Sequence, residues 1–351
     1  MLPFYMIFRN TVIVTFMVIL CQAESGCVKH TDMLGSRPDI FWPKPPEVKR
    51  IAFVNAVLKP EDLNIRSGIL KQLFNYIGGK KVASIVSPYG MSTDSQGRLY
   101  VVDTFLKRVH VFDTEENHYF SFPTDRTILV SPVGIAIDEN GLIYMTDSKS
   151  EIVYIFKDHG KKFVMEFGRG VFKRPTGIAI NPKTSELLVV DTLQSRVFRF
   201  DLSSLTQKGS FGGNGDADGR FHYPTHIFVT LAGNLIVSDS LNFRVQVFSP
   251  EGRFLDKIGG MGNTPGTFSR PKGVASDSDG NIYVVDALFD NIQVFDKHGR
   301  LLMAFGEHGN GIGAFWLPTG IYIDNNDSIY VSDSGNQRIQ VFKYLREDVA
   351  K

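Results

Sequence analysis

The chain has 351 residues, with 38 Lys and Arg against 37 Asp and Glu, 43% hydrophobic and 21% charged residues. That balance excludes general disorder, and a formal net charge of +1 leaves no basic excess to hold a phosphate backbone, so nucleic acid is not an expected partner. With 28 Phe, 33 Gly and 16 Pro, the mixture suits many short strands closed by tight turns.

In chain order, residues 1–20 carry one charge, Arg9, and from Thr11 to Leu20 the chain is apolar apart from two threonines. That run is long enough for the core of an export signal and short for a membrane span. Residues 1–27 are therefore read as a signal peptide or lipoprotein signal, with an uncleaved anchor left open. Cys21 and Cys27 are the candidates for lipid attachment. Cys21 follows Leu20, which is large for the site before a lipidated cysteine; Cys27 follows Ser25-Gly26 but has Glu24 where an aliphatic residue is wanted. No cysteine follows Cys27, so the body has neither a disulfide framework nor a thiolate metal site. The expected location is periplasmic or extracellular, with or without a membrane tether at this end.

Residues 28–50 read as a tether. Phe41-Trp42-Pro43-Lys44-Pro45-Pro46 is Pro-dense and predicts extended, polyproline-like backbone, with an SH3-type ligand as the alternative. The alternating run from Ile51 to Val57 predicts a strand. Ile65, Ile69, Leu73 and Ile77 then recur every four residues and predict a short helix over 65–77, stopped by Gly78-Gly79.

From Pro88 the chain repeats itself. Six units begin at Pro88, Pro132, Pro175, Pro224, Pro271 and Pro318, spaced by 44, 43, 49, 47 and 47 residues. In each, an alternating run, a turn such as Asp279-Gly280-Asn281 and a second apolar run lead to an aspartate: Asp103, Asp147, Asp191, Asp239, Asp286 and Asp333. Nine residues beyond each stands a Phe: Phe112, Phe156, Phe200, Phe248, Phe295 and Phe342. A fourth run follows five of the units. Four strands per unit at this period make a propeller blade, and six units make an all-β, six-bladed propeller over 51–346 with its repeats at 88–342. The sixth unit lacks a fourth run, so Ile51–Val57 is expected to supply it and close the ring.

Glycine-rich linkers precede the later units, as in Phe211-Gly212-Gly213-Asn214-Gly215 before Pro224 and Phe305-Gly306-Glu307-His308-Gly309 before Pro318. With the runs ending in Asp and Asn336-Gln337-Arg338-Ile339-Gln340-Val341-Phe342, this resembles the NHL repeat family of β-propellers across residues 88–342. The layout of signal, Cys, Trp-Pro, strand, helix and propeller resembles bacterial exported NHL-repeat lipoproteins. The signature is worn in units one and two, which have no Gly-rich run before their prolines.

The recurrent aspartates suit turn caps better than catalysis, because six copies stand in a ring. Arg108, Arg196, Arg244 and Arg338, five residues on, predict an Asp–Arg brace within each of four units. Alternation puts the linkers and the loops after each Asp on one face, and the Asp-Gly-Asn turns on the other. Phe105, Phe243 and Phe289, with Leu106, Leu193, Leu241 and Leu288, fall in the post-Asp loops; Trp316, Tyr223, Tyr89 and Arg270 fall beside the prolines. Phe105, Phe243, Phe289, Tyr223, Arg270 and Trp316 are the candidates for a protein- or peptide-binding patch. The alternative is that each aromatic tucks between blades.

His226 replaces the glycine expected at the inner end of unit four, and His222 stands four residues before it. The resemblance extends to amidating lyases that hold zinc with three histidines, so these two are the candidate metal ligands for a metal-dependent lyase or hydrolase in the channel. No second inner-ring histidine accompanies them. Asp216-Ala217-Asp218-Gly219 suggests a calcium loop, but Ile227 stands where the bidentate Glu would be needed. The leading expectation is a monomeric, non-enzymatic binding scaffold without a cofactor.

Overall fold

The structure, a computed structural model, describes residues 40–65, 84–124 and 127–346. Among them the strands pair into six antiparallel sheets. Blade one comprises Pro88–Thr93, Leu99–Asp103, Arg108–Asp113 and His118–Phe122; blade four comprises Pro224–Val229, Leu235–Asp239, Arg244–Phe248 and Phe254–Gly259. Each motif proline lies opposite its aspartate, as Pro88 opposite Asp103 and Pro224 opposite Asp239, and the register shifts just after the proline. This pairing sets the linkers and the post-Asp loops on one face.

Burial falls from the second strand outward. Every residue of Leu99–Asp103, Ile143–Asp147, Leu235–Asp239 and Ile282–Asp286 is buried, because that strand has a neighbouring blade on both sides. The outer strand Lys162–Phe167 has no buried residue. The apolar side chains gather in six clusters, one at each seam between blades. Val102, Val109 and Phe122 of blade one, for example, meet Ile135, Ile143 and Phe156 of blade two. The six Phe residues that follow the aspartates are at most 3% exposed. A second buried series escapes the sequence reading: Ile85, Leu129, Phe172, Phe221, Phe268 and Phe315, three residues before each proline, plug the seams at the linker end.

The glycine after each proline has a specific cause. A Cβ at Gly90, Gly134, Gly177 or Gly320 would collide with a backbone carbonyl of the next inner strand, that of Val133, Thr176, Thr225 and Tyr89 respectively. Inner strands crowd the axis too closely for a side chain there.

Closure is as expected. Ile51–Val57 pairs antiparallel with Arg338–Tyr344, Ile51 opposite Tyr344 and Val57 opposite Ile339. The tether expectation for residues 28–50 needs correction at its C-terminal end. Phe41–Trp42 forms a fifth strand on this sheet, with Trp42 opposite Ile51. The indole lies on Gly313 and packs 5.6 Å from the Phe305 ring and 5.7 Å from Phe342, while the Lys49 ammonium sits 3.6 Å from the Phe41 ring centre. Apolar rings adjoining an open seam gain more by packing than by staying extended in water. The helix expected over 65–77 falls almost wholly on residues outside those described. Just before it, Pro60–Leu63 makes one 3₁₀ turn, whose Asp62 carboxylate accepts the N–H groups of Leu58 and Lys59.

Candidate functional site

The linker face is built on the six aspartates. Asp103 accepts N–H groups from Val86, before its own blade's proline, and from Phe105 and Leu106 in the loop after it. Asp147 does the same for Val130, Ser131, Lys149 and Ser150, and Asp286 for Ser269, Arg270, Leu288 and Phe289. Each carboxylate thus fixes a linker and a loop together, which is structural work. Burial outweighs the bonds from His222 N–H, Asn242 and Arg244 and holds Asp239 above the ordinary carboxylate range. Asp103 is held below it: burial opposes ionisation, but His110 and three backbone N–H groups prevail. The Asp–Arg brace forms in two of the four expected units, Arg244 to Asp239 at 2.8 Å and Arg338 to Asp333 at 2.7 Å. In blade one His110 takes that place at 3.3 Å from Asp103, and Arg196 turns instead to Ser210.

On this scaffold the expected patch residues separate into two groups. Phe105 is 71% exposed and Trp316 50%, with Tyr223, Leu193, Leu241 and Leu288 also exposed, and Arg270 is exposed. Phe243 and Phe289 are half-buried, as is Leu106. Blade two adds Ile128, 76% exposed, and Val130, so each blade contributes an apolar tip. Sequence reasoning passed over these two because unit two lacks the Gly-rich linker that marks the frame elsewhere.

The inner strands line a channel cavity of about 240 Å³. Near its mouth the ring of Tyr89, from blade one, stacks on that of His226, from blade four, with centroids 5.3 Å apart and planes 15° apart. Blades one and four face each other in a ring of six, so the pair spans the channel. Burial, with the Lys272 charge adding to it, depresses the His226 imidazole to about 3 and keeps it neutral. Burial also raises the Tyr89 phenol to about 12, against the opposing charges of Arg174 and Arg270. Lys272 is brought down to about 8 by burial, then by Arg270 and Arg174. His222 is exposed and packs edge-on against Tyr223 at 5.6 Å. The two candidate metal ligands therefore have different neighbours, and among the described residues no group of three or more His, Cys, Asp or Glu side chains comes together to hold a metal ion. Lys272 and Arg174 were not singled out from sequence, although each occupies a position beside a motif proline, as Arg270 does.

Comparison with known proteins bears on the fold. The NHL repeat profile matches residues 315–342, and a family described as 6-bladed beta-propeller matches residues 222–287. No curated protein matches in sequence. Among solved structures, virginiamycin B lyase from Staphylococcus aureus aligns at 14% identity and a TM-score of 0.55, over 74% of this chain and 96% of that one. An auxiliary nutrient binding protein from Bacteroides thetaiotaomicron VPI-5482 aligns at 15% identity and a TM-score of 0.59, over 75% and 70%. At such identities the likeness is one of fold. The chain is a six-bladed β-propeller with an NHL repeat at residues 315–342.

Proposed function

We propose that this propeller is a binding scaffold whose linker face docks a polypeptide. The observation that carries the reading is the contrast between its two faces. Every blade presents an exposed apolar side chain on the linker face, from Phe105 and Ile128 through Leu193, Leu241 and Leu288 to Trp316. The turns on the opposite face are mostly Asp-, Asn- and Gly-rich, with Leu231 and Val48 as scattered exposed exceptions. Apolar tips on a rigid rim, set in polar surroundings, suit protein recognition. The Bacteroides neighbour, described as an auxiliary nutrient binding protein, is a precedent for a binding role on this architecture. Export by the N-terminal apolar run is part of the same proposal, and that run lies outside the described residues.

Panning a displayed random-peptide library on the full chain tests the reading. Recovered peptides should lose binding to the variant Phe105→Ser/Trp316→Ser while its melting temperature stays unchanged. Peptides that bind this variant as well as the native chain would place docking elsewhere.

A further inference from the structure

Three cations stand at the channel mouth on blades three and five: Arg174 immediately before Pro175, and Arg270 and Lys272 on either side of Pro271. Their backbones are pinned. Asp191 accepts the N–H groups of Lys173 and Arg174, and Asp286 accepts that of Arg270. Those aspartates are buried beneath the rim and occupied by backbone, so they do not pair with the side chains above. Among the described residues, the side chains of Arg174, Arg270 and Lys272 have no ion pair and no hydrogen bond. Arg244 and Arg338, in contrast, are buried against Asp239 and Asp333. Asp290, also on blade five, is engaged by His308 at 2.7 Å and by the Leu317 N–H. Like charges are thus gathered at the mouth with no carboxylate paired to their side chains, an arrangement an anion would relieve.

His226, on the blade between them, narrows the chemistry. Ser240 donates its one hydroxyl proton to the Pro271 carbonyl at 2.7 Å, so the Thr225 hydroxyl, 2.8 Å away, must donate to Ser240. Thr225 therefore accepts from His226 Nδ1 at 3.1 Å. The imidazole carries its proton on Nδ1, leaving an Nε2 lone pair that is shut from solvent and has no hydrogen-bond donor among the described residues. The Tyr89 ring covers that imidazole face. A ligand that satisfies the whole mouth offers an anionic group to the cations and an N–H to Nε2.

Resting on the reading of the rim as a polypeptide-docking face, we propose that the mouth between blades three and five is a carboxylate subsite for the docked polypeptide. A polypeptide carries an amide N–H within a residue of its C-terminal carboxylate or of an Asp or Glu side chain. Arg174, Arg270 and Lys272 donate to the carboxylate oxygens. The adjacent amide donates to His226 Nε2 once the Tyr89 ring gives way, and the apolar rim takes the flanking side chains. An inorganic oxyanion meets the first requirement and lacks the amide.

Three fluorescent pentapeptides of one Leu- and Phe-containing sequence test this on the full chain. One has a free C-terminal carboxylate, one is amidated there, and one is amidated with a central glutamate. At least one carboxylate-bearing probe should bind roughly tenfold tighter than the plain amide. The tighter of the two names the source of the carboxylate. Arg270→Gln/Lys272→Gln should erase the advantage; if that variant melts early, Arg174→Gln gives the same readout. The His226 ring nitrogen resonance should shift with the tighter probe and stay still with inorganic phosphate. Equal affinity for all three probes, absence of binding, or an advantage that survives both variants would overturn the subsite. Phosphate that displaces the probe and moves the His226 resonance equally would overturn its assignment to polypeptide. Phe105→Ser/Trp316→Ser should weaken all three probes alike. If it changes none while Arg270→Gln/Lys272→Gln removes the carboxylate advantage, the docking reading fails and the subsite stands.

Discussion

Blades four to six and blades one and two solve the same problem with different parts. In the later blades the Gly-rich linker folds back on itself through a bridge, Asn214 with Phe221, Met261 with Phe268 and His308 with Phe315. A glutamine on the third strand then clamps it. Gln340 accepts the Gly313 N–H at 2.9 Å and donates to the Ala314 carbonyl at 2.7 Å; Gln293 holds Gly266 and Thr267, and Gln246 holds Gly219 and Arg220, in the same two-bond manner. In blades one and two the corresponding third-strand position holds a ring. His110 bonds to Asp103 and Tyr119, and Tyr154 donates to the Ile128 carbonyl at 3.2 Å. A carboxamide pairs with one donor and one acceptor of a folded linker, whereas a ring needs less linker to lie against. Linker length and third-strand residue are therefore one choice.

The sharpest test of this comparison removes the aspartate. Asp333→Ala leaves the buried Arg338 guanidinium without its partner and should cost about 3–5 kcal/mol. Both variants also free linker groups, but Asp103→Ala strands a histidine that can stay neutral rather than a guanidinium, and should cost less, about 1–3 kcal/mol. Equal losses in urea unfolding would show that the brace and the ring are interchangeable. Next comes Trp42→Ala, which removes the indole lying on the Gly313 turn of the blade-six linker and should cost about 3 kcal/mol. No loss would mean that Phe41–Trp42 is dispensable to closure. Gln340→Leu should cost about 2 kcal/mol by leaving linker groups unpaired, against less than about 1 for Tyr154→Phe.

The last test is read by pH, where blades one and four meet across the channel. The folded-state value of about 3 for His226 lies below the ordinary 6.5, so between those limits the unfolded chain takes up a proton that the folded chain refuses. The stability contributed by the neutral ring is complete above pH 6.5 and lost as pH falls toward 3. His226→Gly should flatten the fall in melting temperature on acidification below pH 6.5, and an unchanged slope would show that the ring is protonated without penalty. The charges facing this ring come from Lys272, with Arg174 and Arg270 around Lys272 and Tyr89, so the same titration on Lys272→Gln separates their share.

Periodicity made the propeller legible, because the Pro, Gly, Asp and Phe of each unit have partners that recur at one spacing. The closing strand was legible as the missing member of the sixth unit. Local pattern stopped short at Phe41-Trp42, whose prolines favour extended chain while its two rings join the blade-six sheet. The Asp–Arg brace was overread at Arg108 and Arg196, since spacing places a guanidinium near a carboxylate without deciding which neighbour it takes. The channel mouth was half legible. Tyr89, His226 and Arg270 stood out singly, but only the ring geometry sets Tyr89 on His226 and gathers Arg174 and Lys272 around them.

The pairing of Ile51–Val57 with Arg338–Tyr344 has a consequence for biogenesis. The first of these strands leaves the ribosome before any blade and the second only with the sixth, so the circle cannot shut until all six blades have been made. Until then an apolar segment waits with its hydrogen-bonding edge bare, open to capture by another nascent copy. A product cut short before Arg338 would keep that edge for life, so quality control on this molecule amounts to asking whether two strands far apart in the chain have met.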